Sequence, residues 1–170
     1  MRFPFHKHSS PDDHPVGVIR VDARTKDLVK RLNPGDIAVI DHSDLDRVAA
    51  ESLVEKRPAA VLNASPSVSG RYPNLGPGIL LDAGIPLIDD LGADVMRLHE
   101  GDRITVTDGA VRLEGEEAIV AEGTVQTPAT VEASMESAKE GLAVQLEAFA
   151  ANTMEYMKRE RDLLLNGIGM

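Results

Sequence analysis

The chain has 170 residues, a net charge of −10 and no cysteine, which excludes disulfides, thiolate catalysis and cysteine-based zinc sites. Residues 61–170 carry 8 basic and 18 acidic side chains, so this part is poorly suited to bind nucleic acid or an anionic membrane surface. The sequence has no apolar run near the ~20 residues that a transmembrane segment needs, and its composition suits the reducing cytoplasm.

Residues 1–15 are predicted to form a flexible polar tail, because they combine three prolines with histidines and serines. His6 and His8 are close enough in sequence to chelate a metal ion together. A histidine pair alone lacks the third and fourth ligands of a stable site, so we predict no metal site in this tail.

The next segment alternates strands and helices. Residues 16–22 alternate in the manner of a strand, and the apolar runs at 36–41 and 59–64 are typical of strands that are buried on both faces. Between these strands, apolar side chains at helical spacing predict helices at 25–32 and 45–56. The order of strand, helix, strand, helix and strand predicts parallel pairing through helical crossovers.

The following residues change to antiparallel β structure. Residues 78–84 predict a short helix that ends at a glycine, and residues 85–89 predict a further strand. From residue 104 to residue 113, apolar and polar side chains alternate around Asp108 and Gly109. This dipeptide is a strong signal for a two-residue hairpin turn.

A long helix is predicted after this domain, because residues 129–165 contain no proline and apolar side chains recur at spacings of three and four. At 1.5 Å per residue this helix would be about 55 Å long, which exceeds the width of the preceding domain. We therefore predict a domain at 16–123 and a helical segment at 124–170, which serves as a dimer seam or as a linker to a further domain. The apolar stripe that predicts a homodimer includes Met135, Leu142, Leu146, Phe149 and Tyr156.

The loop that precedes the short helix is the best candidate binding site in the sequence. It offers hydroxyl groups, an amide, a glycine backbone that a ligand can approach, and an arginine that can bind a phosphate or carboxylate at two points. The candidate residues are Ser67, Ser69, Gly70, Arg71, Asn74 and Gly76. The sequence leaves open whether they bind an anion or a partner, or whether they only hold a long loop in place.

Two acidic segments have the composition of cation sites but are predicted to serve the fold. The segment "DHSDLD" (residues 41–46) lacks the glycine and the distal glutamate of a calcium loop, and Ser43 or Asp44 fits the N-cap of the following helix. Asp89 and Asp90 are adjacent on a strand and therefore point to opposite faces. No metal ion or other cofactor is predicted.

A basic strip lies around the first predicted helix. It is either a solvated face or a surface that docks the acidic half of the chain or the acidic helix of a second copy. Its members are Arg20, Arg24, Lys26, Lys30 and Arg31.

The order of elements between residues 33 and 113 follows a known pattern: a Gly-Asp strand, a helix, an apolar strand that enters a loop, a helix that ends in "GIP", and then "GDRITVTDG". This order resembles the mobile phosphohistidine domain of phosphoenolpyruvate-using enzymes. The resemblance implies a swivelling β/β/α sandwich, an α/β fold with mixed parallel and antiparallel strands, here followed by one long helix. The junction of loop and helix reads Asn74, Leu75 and Gly76, without the family's phosphate-carrying histidine, so phosphotransfer is predicted to be absent.

Two longer strings, "RTKDLVKRLNPGDIAVIDHSDLDRVAAESLVEKRPAAVLNASPSVSGRYPNLGP" and "LEAFAANTMEYMKRERDLLLNG", resemble the N-terminal half of SteA-like proteins, a bacterial family of cytokinetic ring or cell-separation factors. The resemblance implies a non-catalytic scaffold in cell division, with other cell-division proteins as partners. It also implies a cytoplasmic location, with attachment to the septal membrane through parts outside these residues. A thiamine-pyrophosphokinase-like domain follows in that family. The alternative is therefore a regulatory or substrate-presenting part of an ATP-dependent transferase.

Overall fold

The computed structural model describes residues 14–168, and the predictions for His6, His8 and the rest of the tail at 1–13 lie outside the described residues. The strands are β1 Val16–Val21, β2 Ile37–Ile40, β3 Ala60–Asn63, β4 Leu87–Asp89, β5 Arg103–Thr107, β6 Ala110–Leu113, β7 Ala121–Glu122 and β8 Thr124–Val125. The helices are α1 Thr25–Leu28, α2 Arg47–Lys56, α3 Gly76–Asp82 and α4 Pro128–Ile168, with a short 3-10 helix at Ala93–Arg97.

All eight strands belong to one sheet, in the order β7-β6-β5-β1-β2-β3-β4-β8. Strands β1 to β4 are parallel, whereas the other four pair with their neighbours in antiparallel fashion. Only Gly123 separates β7 from β8, and these strands pair with opposite edges, so the sheet is nearly a closed barrel. The sheet extends two residues past the domain end predicted at residue 123. The predicted α/β class, with mixed strands and one long C-terminal helix, is confirmed.

Strands β2, β3 and β4 are buried on both faces, which explains the continuous apolar runs of β2 and β3. In β2, Ile37 and Val39 pack in the core inside the curled sheet, together with Ile104 of β5. Ala38 and Ile40 pack in a second core, which lies between the sheet and the helices α1 to α3. The fold therefore has two layers of strands and one layer of helices.

The hairpin of β5 and β6 forms at the predicted dipeptide. Thr107 pairs with Ala110, and between them Asp108 and Gly109 have φ angles of 51° and 84°. Two positive φ angles are what a type I′ turn needs, and this turn matches the twist of the strands. In β5, Ile104 and Val106 are buried, whereas Arg103 is exposed and Thr105 and Thr107 are half-buried, because only one face of this strand meets the core.

Two local details differ from the sequence prediction. The N-cap of α2 is Asp46 rather than Ser43 or Asp44, because its carboxylate accepts a hydrogen bond from the Ala49 amide at 2.8 Å. Helix α1 ends at Leu28, although the apolar spacing continues beyond it. The Lys30 and Arg31 amides donate to carbonyl groups three residues earlier, as in a 3-10 turn.

The start of α4 is set by its capping residues. Thr127 accepts a hydrogen bond on its hydroxyl oxygen from the Thr130 amide at 3.2 Å, and Pro128 is the first helical residue. Both features are typical of helix N-termini, because the cap satisfies a free amide and proline lacks one.

Beyond its first turns, α4 leaves the domain. Its 41 residues, at ~1.5 Å per residue, give a length of about 60 Å. Ala138 is fully buried, whereas every residue from 143 to 166 except Thr153 is exposed. Among residues 14–168, no helix has both the length and the apolar character needed to cross a membrane.

Candidate functional site

The candidate loop is held by a buried carboxylate at the end of β4. Asp89 is only 4% exposed, and it accepts hydrogen bonds from the Ser67 amide at 2.8 Å and from the Ser67 hydroxyl at 2.6 Å. The side-chain amide of Gln126 donates a third hydrogen bond at 3.1 Å. Asn63 in turn donates to the Ser67 oxygen at 2.8 Å. The Ser67 hydroxyl therefore makes its hydrogen bonds to other residues of the domain.

A second carboxylate, that of Asp44, fixes the tip of the same loop. It accepts hydrogen bonds from the amide and the hydroxyl of Ser69, both at 2.8 Å. The side-chain amide of Asn74 donates to it at 3.1 Å. The hydroxyl and the amide that the sequence offered to an anion are thus bound to a carboxylate of the chain itself.

Two glycines of the loop permit close packing. Gly76 is buried at the start of α3, and a Cβ atom there would overlap the backbone carbonyl group of Leu45. Gly70 has a φ angle of +96°, and a Cβ atom on Gly141 would lie 3.0 Å from the Gly70 carbonyl oxygen. The loop therefore rests on α4, with an open cleft of about 330 Å³ between them.

Arg71 is exposed, as are Ser69 and Gly70, and among residues 14–168 its guanidinium makes no hydrogen bond or ion pair. We expect Arg71→Ala to change the free energy of unfolding by less than about 0.5 kcal/mol in urea denaturation. Ser69→Ala is the contrasting variant, because it removes a hydrogen bond to Asp44 and is expected to cost about 1 kcal/mol. A loss above about 2 kcal/mol for Arg71→Ala would identify the residue as a structural tie and would remove the main support for anion binding by this loop.

Burial raises the pKa of Asp89 above its ordinary value, although the hydrogen bonds from Ser67 and Gln126 oppose this shift. The native state therefore binds a proton at Asp89 more tightly than the unfolded chain does. This contribution to stability is complete below about pH 4 and is lost as the pH rises through the native pKa. We expect the stability of the wild type relative to Asp89→Asn to fall over this window, by about 1.4 kcal/mol for each unit by which the pKa is raised. Chemical denaturation of both proteins at several pH values measures this change. A difference in the free energy of unfolding between wild type and Asp89→Asn that stays constant with pH would contradict the raised pKa of Asp89.

A cavity of about 740 Å³ lies outside the candidate loop, at the carboxyl ends of β1 and β2. Its lining includes Arg24, Thr25, His42 and Val48. The sequence did not reveal this cavity, because "DHSDLD" suggested only a cation loop or a helix cap. One sequence feature could have indicated the cavity: polar segments follow two neighbouring parallel strands, and the carboxyl ends of such strands meet at one edge of the sheet.

The predicted basic strip divides into paired and unpaired side chains. Arg31 and Arg20 both lie near the Glu100 carboxylate, at 2.8 Å and 3.7 Å. The hydrogen bonds that Arg31 donates are the main cause that lowers the pKa of Glu100 to about 2. Among residues 14–168, Arg24 and Lys26 form no ion pair, and both are exposed.

The residues of the predicted dimer stripe on α4 differ in burial along the helix. Met135 and Leu142 are half-buried, in the part of the helix that lies on the domain. Leu146, Phe149 and Tyr156 are 58%, 70% and 63% exposed, in the part that projects from it. The projecting part of the stripe therefore has no cover within the described chain.

Within residues 14–168, no three His, Asp or Glu side chains come together as a metal ion would require. Comparison of the chain with protein-family models and with curated proteins finds no match in either case.

Proposed function

We propose that this chain is a non-catalytic scaffold and interaction module of a bacterial cell-division protein, and that α4 joins two copies of it. The observation that carries the dimer is the exposed apolar stripe on the projecting part of α4. The role in cell division is supported by the resemblance of the sequence to SteA-like cytokinetic ring proteins. Other cell-division proteins are the proposed further partners.

A second copy of the chain is the proposed occupant of the stripe. Met135, Leu142, Phe149 and Tyr156 follow one another at intervals of seven residues, which is the repeat of helices that pack along a second helix. Phe149 and Tyr156 of this series, and Leu146 beside them, are exposed in the projecting part of α4, and contiguous exposed apolar side chains of this kind mark interaction surfaces. Each buried apolar side chain contributes about 1.5–3 kcal/mol, so four or five such contacts offset the cost of association.

The charges beside the stripe favour an antiparallel pair that crosses at Phe149. An antiparallel pair aligns the segment 132–147 of one copy with the segment 151–166 of the other, which carries three basic and three acidic side chains. A parallel pair instead aligns the segment 132–147, which has four glutamates and one lysine, with its own copy, where like charges repel.

Cysteine cross-linking tests this arrangement, because the chain has no cysteine of its own. We expect Phe149→Cys to give a disulfide-linked dimer under mild oxidation, since the two copies of this position meet at the crossing point. Tyr156→Cys alone should not cross-link, because fourteen residues of helix, about 21 Å, would separate it from its own copy. Leu142→Cys combined with Tyr156→Cys should cross-link.

Val144→Cys is the matched control, because Val144 is exposed on the opposite face of α4. Equal cross-linking at positions 149 and 156 would show a parallel pair. Equal cross-linking at positions 144 and 149 would show random collision and would contradict the dimer.

We further propose that this chain does not itself catalyse a reaction. The support is that the Ser67, Ser69 and Asn74 side chains are bound to carboxylates of the chain, and that Asn74 lies in the segment where phosphohistidine domains carry their histidine. Incubation with labelled phosphoenolpyruvate or ATP is expected to leave no acid-labile phosphate on the chain. Stoichiometric labelling of a histidine would contradict this proposal.

The alternative function is a regulatory or substrate-presenting part of a thiamine-pyrophosphokinase-like, ATP-dependent transferase. It rests on the domain that follows in SteA-like proteins. Calorimetric titration of this chain with ATP and with thiamine, with and without the following domain, separates the two functions. Saturable binding of either compound to the chain alone would favour the alternative.

The proposed location is the cytoplasm, with recruitment to the septal membrane through parts of the protein outside these residues. Fluorescence microscopy of a tagged full-length protein and of this chain alone tests it. The full-length protein is expected at the septum, and the chain alone is expected to spread through the cytoplasm.

A further inference from the structure

The cavity at the carboxyl ends of β1 and β2 has the size and the position of a small-molecule site. Its volume of about 740 Å³ lies within the usual range for such sites, about 300–1,000 Å³. In sheets with parallel strands, ligands bind outside the carboxyl ends of the strands, where the connecting loops supply polar groups. Residues after β1 and after β2, together with the first turns of α2, line this cavity.

His42 is fixed in this cavity through both its backbone and its ring. The His42 amide donates to the Asn63 side chain at 3.0 Å, and the Asn63 side-chain nitrogen donates back to the His42 carbonyl at 2.9 Å. The Thr25 hydroxyl lies 2.9 Å from Nδ1 of the ring. Among residues 14–168, the other ring nitrogen, Nε2, makes no hydrogen bond, so the fold holds an unused polar atom in a defined place.

The charged groups of the cavity differ in what they bind. Asp46 caps α2, and Asp41 accepts a hydrogen bond from the Ser65 hydroxyl, so both carboxylates have donors within the chain. Arg24 and Lys26 are the cations of the lining, and neither forms an ion pair among residues 14–168. The lining therefore holds two carboxylates that accept hydrogen bonds from neutral donors, and two cations that have no ion-pair partner among residues 14–168.

The remaining wall of the cavity is apolar. Val29 comes from the turn after α1, and Val48 and Ala49 come from the first turn of α2. Val48 is 72% exposed and lines the same cavity as Arg24 and Lys26. Apolar walls with a few fixed polar groups are the usual composition of small-molecule sites.

We propose that this cavity binds a small organic anion, in which a phosphate or carboxylate group is joined to an apolar body. Arg24 and Lys26 bind the anionic group, and Nε2 of His42 adds a hydrogen bond to it. Val29 and Val48 cover the apolar body. This site is separate from the dimer seam on α4, and the inference does not depend on the proposed scaffold function.

Titration of the wild-type chain with phenyl phosphate and with benzoate, followed by amide and imidazole NMR signals, tests the proposal. Saturable binding of one of them is expected, with the largest shifts at His42 and Val48. The compound with the lower Kd shows whether the site prefers a phosphate or a carboxylate group. Inorganic phosphate has the anionic group without an apolar body, and benzyl alcohol has the apolar body without an anionic group. Each should bind at least about tenfold more weakly. Binding of inorganic phosphate as strong as that of phenyl phosphate, or shifts confined to other surfaces, would overturn the proposal.

Two sets of variants locate the site. Arg24→Ala with Lys26→Ala is expected to raise the Kd by at least about tenfold, because charge-assisted hydrogen bonds are lost. Arg47→Ala is the matched control, since this cation of α2 is paired with Glu51 at 3.1 Å and does not line the cavity. Val48→Glu should abolish binding, whereas Val48→Lys should retain it. An equal loss in Arg47→Ala, or equal binding by the two Val48 variants, would show non-specific attraction and would refute the site.

Discussion

Gly76→Ala is expected to lower the free energy of unfolding by about 3 kcal/mol or more, because the added methyl group would overlap the backbone carbonyl of Leu45. The contact cannot relax easily, since the Leu45 amide is itself bound to the Ser67 carbonyl oxygen at 2.9 Å. The overlap therefore involves backbone on both sides. Urea denaturation followed by circular dichroism measures the effect.

Gly78→Ala is the matched control, two residues further along α3. Its added methyl group would meet no atom within 4 Å. Alanine is favoured over glycine inside a helix, so this variant should gain about 0.5–1 kcal/mol. If Gly76→Ala were as stable as Gly78→Ala, the close approach of α3 to the segment after β2 would be refuted.

Leu146→Glu combined with Phe149→Glu is expected to convert the proposed dimer into monomers. Both side chains are exposed in the single chain, so the substitutions should leave the domain folded. Loss of two apolar contacts, each worth about 1.5–3 kcal/mol, raises the dimer dissociation constant by about two orders of magnitude or more. Light scattering over a concentration series measures the mass, and circular dichroism checks the fold.

Val144→Glu is the control for this effect. Val144 is 63% exposed on the same helix, but on the face opposite the stripe. Val144→Glu adds one negative charge per chain, where the double variant adds two, and it should leave the dimer intact. Monomers in both variants would show that net negative charge, rather than the stripe, decides association.

The sequence predicted most of the fold because the main elements carry their own signals. The continuous apolar runs of β2 and β3 indicated burial on both faces, and Asp108 with Gly109 indicated the hairpin. The closure of the sheet through β7 and β8 could not be predicted in the same way. Each of these strands has two residues, which is too short for a period of two to be visible.

The candidate loop was harder to interpret, because the sequence does not show which way a hydroxyl or an amide points. The partner of Ser67 is Asp89, which is 22 residues away, and the partner of Asn74 is Asp44, which is 30 residues away. Such pairs depend on tertiary structure rather than on local spacing. The cavity beside His42 was missed for the same reason, since it joins segments from two strands and two helices.

Sedimentation velocity of the wild-type chain across the micromolar range tests the proposed scaffold most directly. We predict a species with twice the 18.3 kDa mass of the chain, which dissociates on dilution. The elongated α4 should give this species a high frictional ratio. A chain that stays monomeric throughout the range would contradict the proposal that α4 joins two copies.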